Sequence, residues 1–219
     1  MMTFKRLLLF AASISILPFA IPASATSEDN EEAHVRITTS KGDIVVELYP
    51  EKAPITVRNF LESVEAGAYD NSIFHRVISN FMIQGGGYTP ELEELPAGET
   101  IPNEADNGLR NLKGTVAMAR LNEIDSARRQ FFINLADNAH LDHSADSCTR
   151  EDEQKQAQAR QRGLYKPLGC RTFGYAVFGK VIEGMDVVEQ IGAAETARVD
   201  RFPNMPVEPI VIETVEPLK

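Results

Sequence analysis

Residues 74–78 read FHRVI and residues 81–87 read FMIQGGG, and these two short segments are the most informative part of the chain. The first segment and the start of the second contain the aromatic and β-branched residues that favour strands. The first segment contains one arginine, Arg76, and the second contains one glutamine, Gln84. Because arginine is almost never fully buried without a partner, its place in so apolar a run indicates a cationic donor that lines an apolar pocket.

Further strand-like segments lie on both sides of this pair. A hairpin pattern precedes it, with a turn at residues 40–43 followed by the β-rich residues 43–49. The later segments are residues 115–119, 131–134, 175–182 and 210–215. Helical spacing begins at Pro54, ends near Gly67, and recurs over residues 184–191. About eight strands and two helices without a βαβ rhythm predict a mostly β protein, an antiparallel barrel or sandwich with helices packed outside it.

The composition is that of a folded acidic protein. The 219 residues are 43% hydrophobic and 25% charged, which provides enough apolar material for a core and argues against general disorder. The formal net charge is −10, whereas nucleic-acid binding needs a basic face. We therefore expect no nucleic-acid partner.

The first residues have the pattern of an export signal. A short positive head precedes an apolar run over residues 7–21, and residues 23–25 (ASA) provide the small side chains that signal peptidase accepts. A membrane anchor is the alternative, but the run of about 15 residues is shorter than the roughly 20 that span a bilayer. We expect residues 1–25 to be cleaved, and the mature form to be exported and not embedded in a membrane. The acidic residues 26–33 (TSEDNEEA) then form a flexible lead-in.

One polar segment, residues 144–172, interrupts the strand pattern and contains both cysteines, Cys148 and Cys170. Its residues 151–162 (EDEQKQAQARQR) have high helix propensity but no apolar face, which favours a solvated insertion with a short exposed helix. Two cysteines in an exported protein favour a disulfide, which would close this loop and stabilise the fold by roughly 3 kcal/mol. A metal site is the alternative, because two histidines and an aspartate are near, but the pattern matches no standard zinc spacing. We therefore expect no metal.

With these features in view, the sequence resembles the cyclophilin family of peptidyl-prolyl cis-trans isomerases. The two central segments match the family signature almost completely. The resemblance continues, in order, through residues 114–119 (GTVAMA), 126–134, 141–142 and 177–181 (VFGKV). Residues 173–178 (FGYAVF) look like the version of this strand in exported bacterial cyclophilins.

The resemblance covers about residues 35–215 apart from the insertion. It implies an eight-stranded antiparallel closed β-barrel capped by two α-helices, in a domain spanning residues 34–219, with no cofactor. Nothing in the sequence points to an obligate partner subunit, so we expect a monomer.

The resemblance implies that Arg76 is the catalytic residue. Rotation about a peptide bond meets a barrier of about 18–20 kcal/mol because of amide resonance, and before proline the exchange takes tens of seconds or longer. No bond is broken, so the catalyst needs no nucleophile, metal or general base. A fixed guanidinium can donate to the pyramidal proline nitrogen or to the prolyl carbonyl of the twisted amide, which is preorganised electrostatic stabilisation.

The resemblance also implies a set of substrate-binding residues. The expected pocket walls are Phe81, Met82, Phe132 and Leu141, with Gln84 and Gln130 holding the substrate backbone and Ala119 and Arg120 offering main-chain contacts. Tyr175 stands where many relatives have a histidine, and His140 stands where eukaryotic relatives have a tryptophan. His75 is expected to support the active-site strand rather than to act as an acid or base.

Residues 121–129 (LNEIDSARR) replace a loop that is rich in Gly, Asn and Thr in the family. They bring Arg120, Arg128 and Arg129 near the expected groove. These charges either favour acidic residues beside the substrate proline or remain solvated surface charges.

These features predict an isomerase that acts on proline-containing segments of exported proteins as they fold in the periplasm. A second hypothesis is a binding module or holdase that grips such segments without turnover. A third is a non-enzymatic surface adhesin on a β-scaffold, which explains export and acidity but not the pocket residues. Arg76 separates the first two hypotheses, because a pure binder has no need of it.

Overall fold

The computed structural model describes residues 33–164 and 170–218. The predicted signal peptide, and the acidic lead-in as far as residue 32, lie outside the described residues. No helix in these two ranges is both long enough and apolar enough to cross a bilayer.

Within these ranges, eight strands close into a barrel and two more form a separate small sheet. In chain order the strands are β1 (His34–Thr39), β2 (Gly42–Leu48), β3 (Ser72–Ile78), β4 (Met82–Gly85), β5 (Thr115–Met118), β6 (Phe131–Asn134), β7 (Val177–Glu183), β8 (Thr196–Val199), β9 (Phe202–Pro206) and β10 (Val211–Leu218). The order around the barrel is β1, β10, β3, β4, β6, β5, β7, β2, and every neighbouring pair is antiparallel. The predicted closed eight-stranded antiparallel barrel is confirmed.

Three α-helices, rather than the two predicted to cap the barrel, occur in the described part of the chain. They are α1 (Pro54–Glu65), α2 (Arg150–Gln161) and α3 (Met185–Gly192). The first and third are the two predicted helices. The additional helix, α2, is the exposed helix expected within the insertion, and none of its residues is buried. Its lack of an apolar face explains why it does not join the barrel core.

The β8–β9 sheet is not predicted by the sequence pattern. Pro203 and Pro206 fall within β9, and proline is a poor strand residue because it cannot donate a hydrogen bond to the ladder. The sheet is nevertheless anchored, because Phe202 and Met205 pack with Ile73 of β3 in a small buried cluster beside the barrel core.

The barrel core is organised around Phe60 of α1. The centre of its ring lies 5.2 Å from that of Tyr69, 5.8 Å from that of Phe131 and 5.1 Å from that of Phe178. All four rings are almost fully buried. Burying a large apolar side chain stabilises a fold by about 1.5–3 kcal/mol, so this cluster fixes α1 against the barrel strands.

The first turn of α1 is capped by a residue that is distant in the sequence. Ala53 precedes the helix and offers no side-chain cap. Glu104 supplies one instead. Its Oε1 accepts a hydrogen bond from the N–H of Ile55 at 3.1 Å, and its Oε2 accepts from the N–H and the hydroxyl of Thr56 at 2.8 and 2.7 Å. A carboxylate at this end also interacts favourably with the helix dipole.

We expect Glu104→Ala to lower the free energy of unfolding by about 2 kcal/mol, because it leaves the buried donors of Thr56 without an acceptor. Urea denaturation followed by circular dichroism measures the change. The matched control is Glu99→Ala, which removes an exposed glutamate from the same connecting segment and should change stability by less than about 0.5 kcal/mol. Equal losses in the two variants would contradict the capping role.

The insertion is closed at its base by the predicted disulfide between Cys148 and Cys170. Beside it, Ser147 and Arg171 form a parallel β-bridge, and the N–H of Cys148 donates to the carbonyl of Arg171 at 2.8 Å. The helix α2 follows at once and begins with a capping box. Because the two sulfurs are bonded to each other, neither is available as a thiolate ligand.

Candidate functional site

The candidate site lies on the outer face of the barrel, where β3, β4 and β6 run side by side. Arg76 of β3 is paired with Gln84 of β4, which is paired in turn with Phe132 of β6. The adjacent residues Val77 and Ile83 belong to the barrel core, so the row of three faces away from it. The two-residue period of the strands therefore brings together side chains that are far apart in the sequence.

A short chain of hydrogen bonds holds the Arg76 side chain. Its Nη1 donates to Oε1 of Gln84 at 3.3 Å, and Nε2 of Gln84 donates to Oε1 of Gln130 at 3.0 Å. Among the described residues, no carboxylate forms an ion pair with Arg76. The positive charge of Arg76 is therefore not neutralised by a carboxylate of the described residues. Its remaining N–H groups can donate to a substrate.

A cavity of about 160 Å³, called the smaller cavity below, opens beside this guanidinium. Its apolar wall is a cluster that includes Met82, Phe132 and Leu141, which are 2%, 4% and 9% exposed. The structure brings most of the predicted site residues together around this cavity. They are Arg76, Phe81, Met82, Gln84, Ala119, Arg120, Phe132, Leu141 and Tyr175.

The two other predicted substrate-binding residues lie at the border of the smaller cavity. His140 is exposed, and its ring stacks on that of Phe81 with 5.5 Å between centroids. Gln130 lines a neighbouring cavity of about 330 Å³, called the larger cavity below. The two cavities share lining residues such as Gln84 and Ala119, so they form one continuous groove.

Arg120 is fixed against the wall of this groove. Its guanidinium lies over the Tyr175 ring, 4.6 Å from the ring centre, while Nε donates to the carbonyl of Gly174 at 3.0 Å and Nη2 donates to the hydroxyl of Thr172 at 2.6 Å. Burial lowers the pKa of Arg120, and Tyr175 opposes that effect. Tyr175 also packs edge-on against Phe132 at 5.7 Å. The tyrosine is therefore held between a cation and an aromatic wall.

All three arginines that were expected near the groove line the larger cavity, but the Arg129 side chain is mostly engaged in contacts within the fold. It is 5% exposed, and its guanidinium donates to the carbonyls of Gly86 at 2.9 Å, Pro96 at 3.0 Å and Ala68. Burial lowers the pKa of Arg129. Each of its three guanidinium nitrogens thus donates to a different loop, whereas Arg128 is exposed at the edge of the larger cavity.

His75 lines neither of these two cavities. Its ring packs against those of Tyr88 and Phe202, at centroid distances of 4.8 and 5.8 Å. The side chain is buried, and this burial lowers its pKa to about 4. Its Nδ1 has no hydrogen-bond partner among the residues that the structure describes. A neutral ring at this place is suited to supporting β3 and is not positioned to transfer a proton in the groove.

Sequence reasoning missed a network of asparagines behind the smaller cavity. Nδ2 of Asn138 donates to the carbonyl of Phe81 at 2.8 Å and to Oδ1 of Asn134 at 2.7 Å. Nδ2 of Asn134 donates to the hydroxyl of Thr115 at 2.9 Å. These buried amides fix the backbone next to the Phe81 ring. The available signal was Asn134 itself, a polar residue that ends the otherwise apolar strand FFIN.

Known proteins resemble this chain in sequence and in fold. A family model described as cyclophilin type peptidyl-prolyl cis-trans isomerase/CLD matches residues 34–217. The chain is 42% identical to peptidyl-prolyl cis-trans isomerase A of Dickeya dadantii over 215 residues, which cover 98% of each chain. It is 47% identical to peptidyl-prolyl cis-trans isomerase cyp18 of Streptomyces antibioticus over 182 residues, which cover 83% of this chain and 96% of the relative.

A crystal structure of a cyclophilin type peptidyl-prolyl cis-trans isomerase from Cryptosporidium parvum is similar in fold. Its TM-score is 0.61 at 23% sequence identity, and the alignment covers 85% of this chain and 98% of the other. At this level of identity the likeness concerns the fold alone.

Proposed function

Because the chain belongs to the cyclophilin-type peptidyl-prolyl cis-trans isomerase family and is an isomerase of this type, we propose that Arg76 is its catalytic residue and that the smaller cavity binds the substrate proline. One observation carries this proposal. The Arg76 guanidinium is held by Gln84 at the edge of an apolar cavity, and no carboxylate of the described residues pairs with it.

The proposed mechanism stabilises the amide when it is twisted out of its plane. In that state resonance is lost, the proline nitrogen becomes pyramidal, and its lone pair can accept a hydrogen bond. The planar guanidinium of Arg76 presents several N–H groups in a fixed arrangement and can donate to this nitrogen or to the prolyl carbonyl. The donor is stronger here than in bulk water because the apolar wall formed by Met82, Phe132 and Leu141 excludes solvent from one side of the site. The planar ground state gains less from the contact, so the barrier falls.

The other side chains orient the two reacting parts. Gln84 accepts from Arg76 and donates to Gln130, so the guanidinium is positioned before a substrate arrives. The proline ring would rest on Met82 and Phe132, which are apolar and shaped by packing. The flanking polypeptide would continue into the larger cavity.

We place this activity in the periplasm, on exported proteins that are still folding. Residues 1–25 would be removed as a signal peptide, residues 26–33 would form a flexible lead-in, and residues 34–219 would act as a monomeric isomerase domain. The disulfide between Cys148 and Cys170 supports this location, because disulfides form and persist in oxidising compartments.

The location is tested by expressing the full chain in a bacterium, fractionating the cells and sequencing the N-terminus of the product. We expect a periplasmic protein that begins at Thr26 and has no free thiol. The control is Ala25→Arg, which places a bulky charge at the cleavage position and should leave the uncleaved precursor. A full-length, reduced wild-type protein in the cytoplasm would overturn the proposed location and leave the role of Arg76 untouched.

A further inference from the structure

The insertion contacts the wall of the groove from both of its ends. After the disulfide, the first turn of α2 reaches the 121–129 loop. Before β7, Thr172 at the end of the insertion and Gly174 just after it accept hydrogen bonds from the Arg120 side chain. Arg120 lines both cavities, so a segment that is distant from Arg76 in the sequence shapes the binding groove.

The contacts of α2 with the loop are specific and directional. Nε and Nη2 of Arg150 donate to the two carboxylate oxygens of Asp125, each at 2.8 Å, and Nη2 also donates to the carbonyl of Asn103 at 3.0 Å. Oε1 of Glu153 accepts from the N–H of Ile124 at 2.8 Å. The hydrogen bond from Arg150 is the main reason why the pKa of Asp125 is lowered.

The loop held in this way forms part of the larger cavity. Ile124 is buried against Ala105 and Phe173, which fixes the centre of the loop. On either side of it, Leu121 and Ser126 face the cavity. Two contacts from one helical turn therefore hold the middle of a loop whose flanks line the groove.

We propose that Arg150 and Glu153 are positioning residues of the isomerase, which hold the 121–129 loop so that the larger cavity is formed before the polypeptide beside the proline binds. Neither residue touches the smaller cavity. Their loss should therefore weaken the binding of substrates that extend into the larger cavity, while the step at Arg76 continues at its usual rate. This inference rests on the proposed function of the smaller cavity.

The test is the double variant Arg150→Ala/Glu153→Ala, assayed with a long peptide and with a short blocked peptide that contain the same X-Pro bond. We expect KM for the long peptide to rise about fivefold with kcat within about twofold, because only ground-state positioning is lost. The short peptide should be converted with unchanged kcat/KM. Because α2 has no buried residue, the barrel should keep its melting temperature.

Two further variants separate positioning from general damage. Glu153→Gln keeps an oxygen that can accept from Ile124, so it should retain the wild-type KM for the long peptide. Glu151→Ala, on the same turn, removes only the exposed pair with Lys155 and should behave like wild type.

Unchanged KM for the long peptide in the double variant, or equal losses of kcat/KM for both peptides, would overturn the inference. A wild-type rate for Arg76→Ala with the short peptide would instead contradict the proposed function of the smaller cavity, so the two failures can be told apart.

Discussion

Replacing Arg76 by alanine is expected to lower kcat/KM for an X-Pro peptide about 10²- to 10³-fold, the usual effect of removing one preorganised donor from a transition state. The reason is that the variant keeps the apolar cavity but has nothing to donate to the twisted amide. The rate of cis-to-trans conversion, measured for the purified domain against the uncatalysed reaction, gives the result. The melting temperature should stay close to that of wild type, because within residues 33–164 and 170–218 the Arg76 side chain makes one hydrogen bond, on the outer face of the barrel.

Two other arginine variants serve as controls. Arg76→Lys keeps the charge but loses the planar arrangement of donors, and we expect it to remain at least about tenfold below wild type. Arg36→Ala removes an arginine of β1 that pairs with Asp43 at 3.7 Å, outside both cavities, and should keep full activity. Full activity in Arg76→Ala, or a loss of the same size in Arg36→Ala, would contradict the assignment.

The second large effect is a loss of stability in acid that comes from His75. Burial lowers its pKa from 6.5 to about 4, so the unfolded chain binds the proton more tightly than the folded chain. Above pH 6.5 the ring is neutral in both states and does not reduce the free energy of unfolding. As the pH falls from 6.5 towards 4, the unfolded chain takes up the proton and the free energy of unfolding decreases. The shift corresponds to about 3 kcal/mol in total, of which on the order of 2 kcal/mol is lost between pH 7 and pH 5.

Urea denaturation of wild type and His75→Phe at pH 7 and pH 5 measures this contribution. Carboxylates also change stability in this range, so the difference between the two proteins is the informative quantity. Between pH 7 and pH 5, we expect the free energy of unfolding of His75→Phe to fall by about 2 kcal/mol less than that of wild type. The packing control is Phe202→Leu, which loosens the same cluster without removing the titrating ring and should keep the wild-type pH dependence. If the free energy of unfolding changed equally with pH in wild type and His75→Phe, this account would be refuted.

The barrel could be predicted from the sequence because its strands carry strong local signals. Segments such as β3 and β6 have dense β-branched and aromatic residues, and a strand pattern needs no information from distant residues. The β8–β9 sheet lacks that signal because of Pro203 and Pro206. It forms because the barrel offers Ile73 as a surface for Phe202, and this is a tertiary contact that no local pattern reveals.

The same distinction applies to the site. The row that joins Arg76 to Phe132 follows from strand pairing, and the family resemblance identified its members. Arg129 does line the larger cavity, as expected, but the sequence did not predict that its guanidinium donates to three carbonyls from separate loops, because these partners are distant in the sequence. The Glu104 cap was missed for a similar reason, since Thr56 lies 48 residues away.

The most direct test of the catalytic assignment separates binding from turnover in one experiment. A proline peptide is titrated into wild type and Arg76→Ala, and NMR measures both its dissociation constant and the cis–trans exchange rate of the bound peptide. We predict that the exchange rate falls at least about 10²-fold while affinity changes less than about threefold, because the guanidinium acts mainly on the twisted state. An unchanged exchange rate in the variant, with affinity lost instead, would show that Arg76 only grips the peptide and would contradict the account.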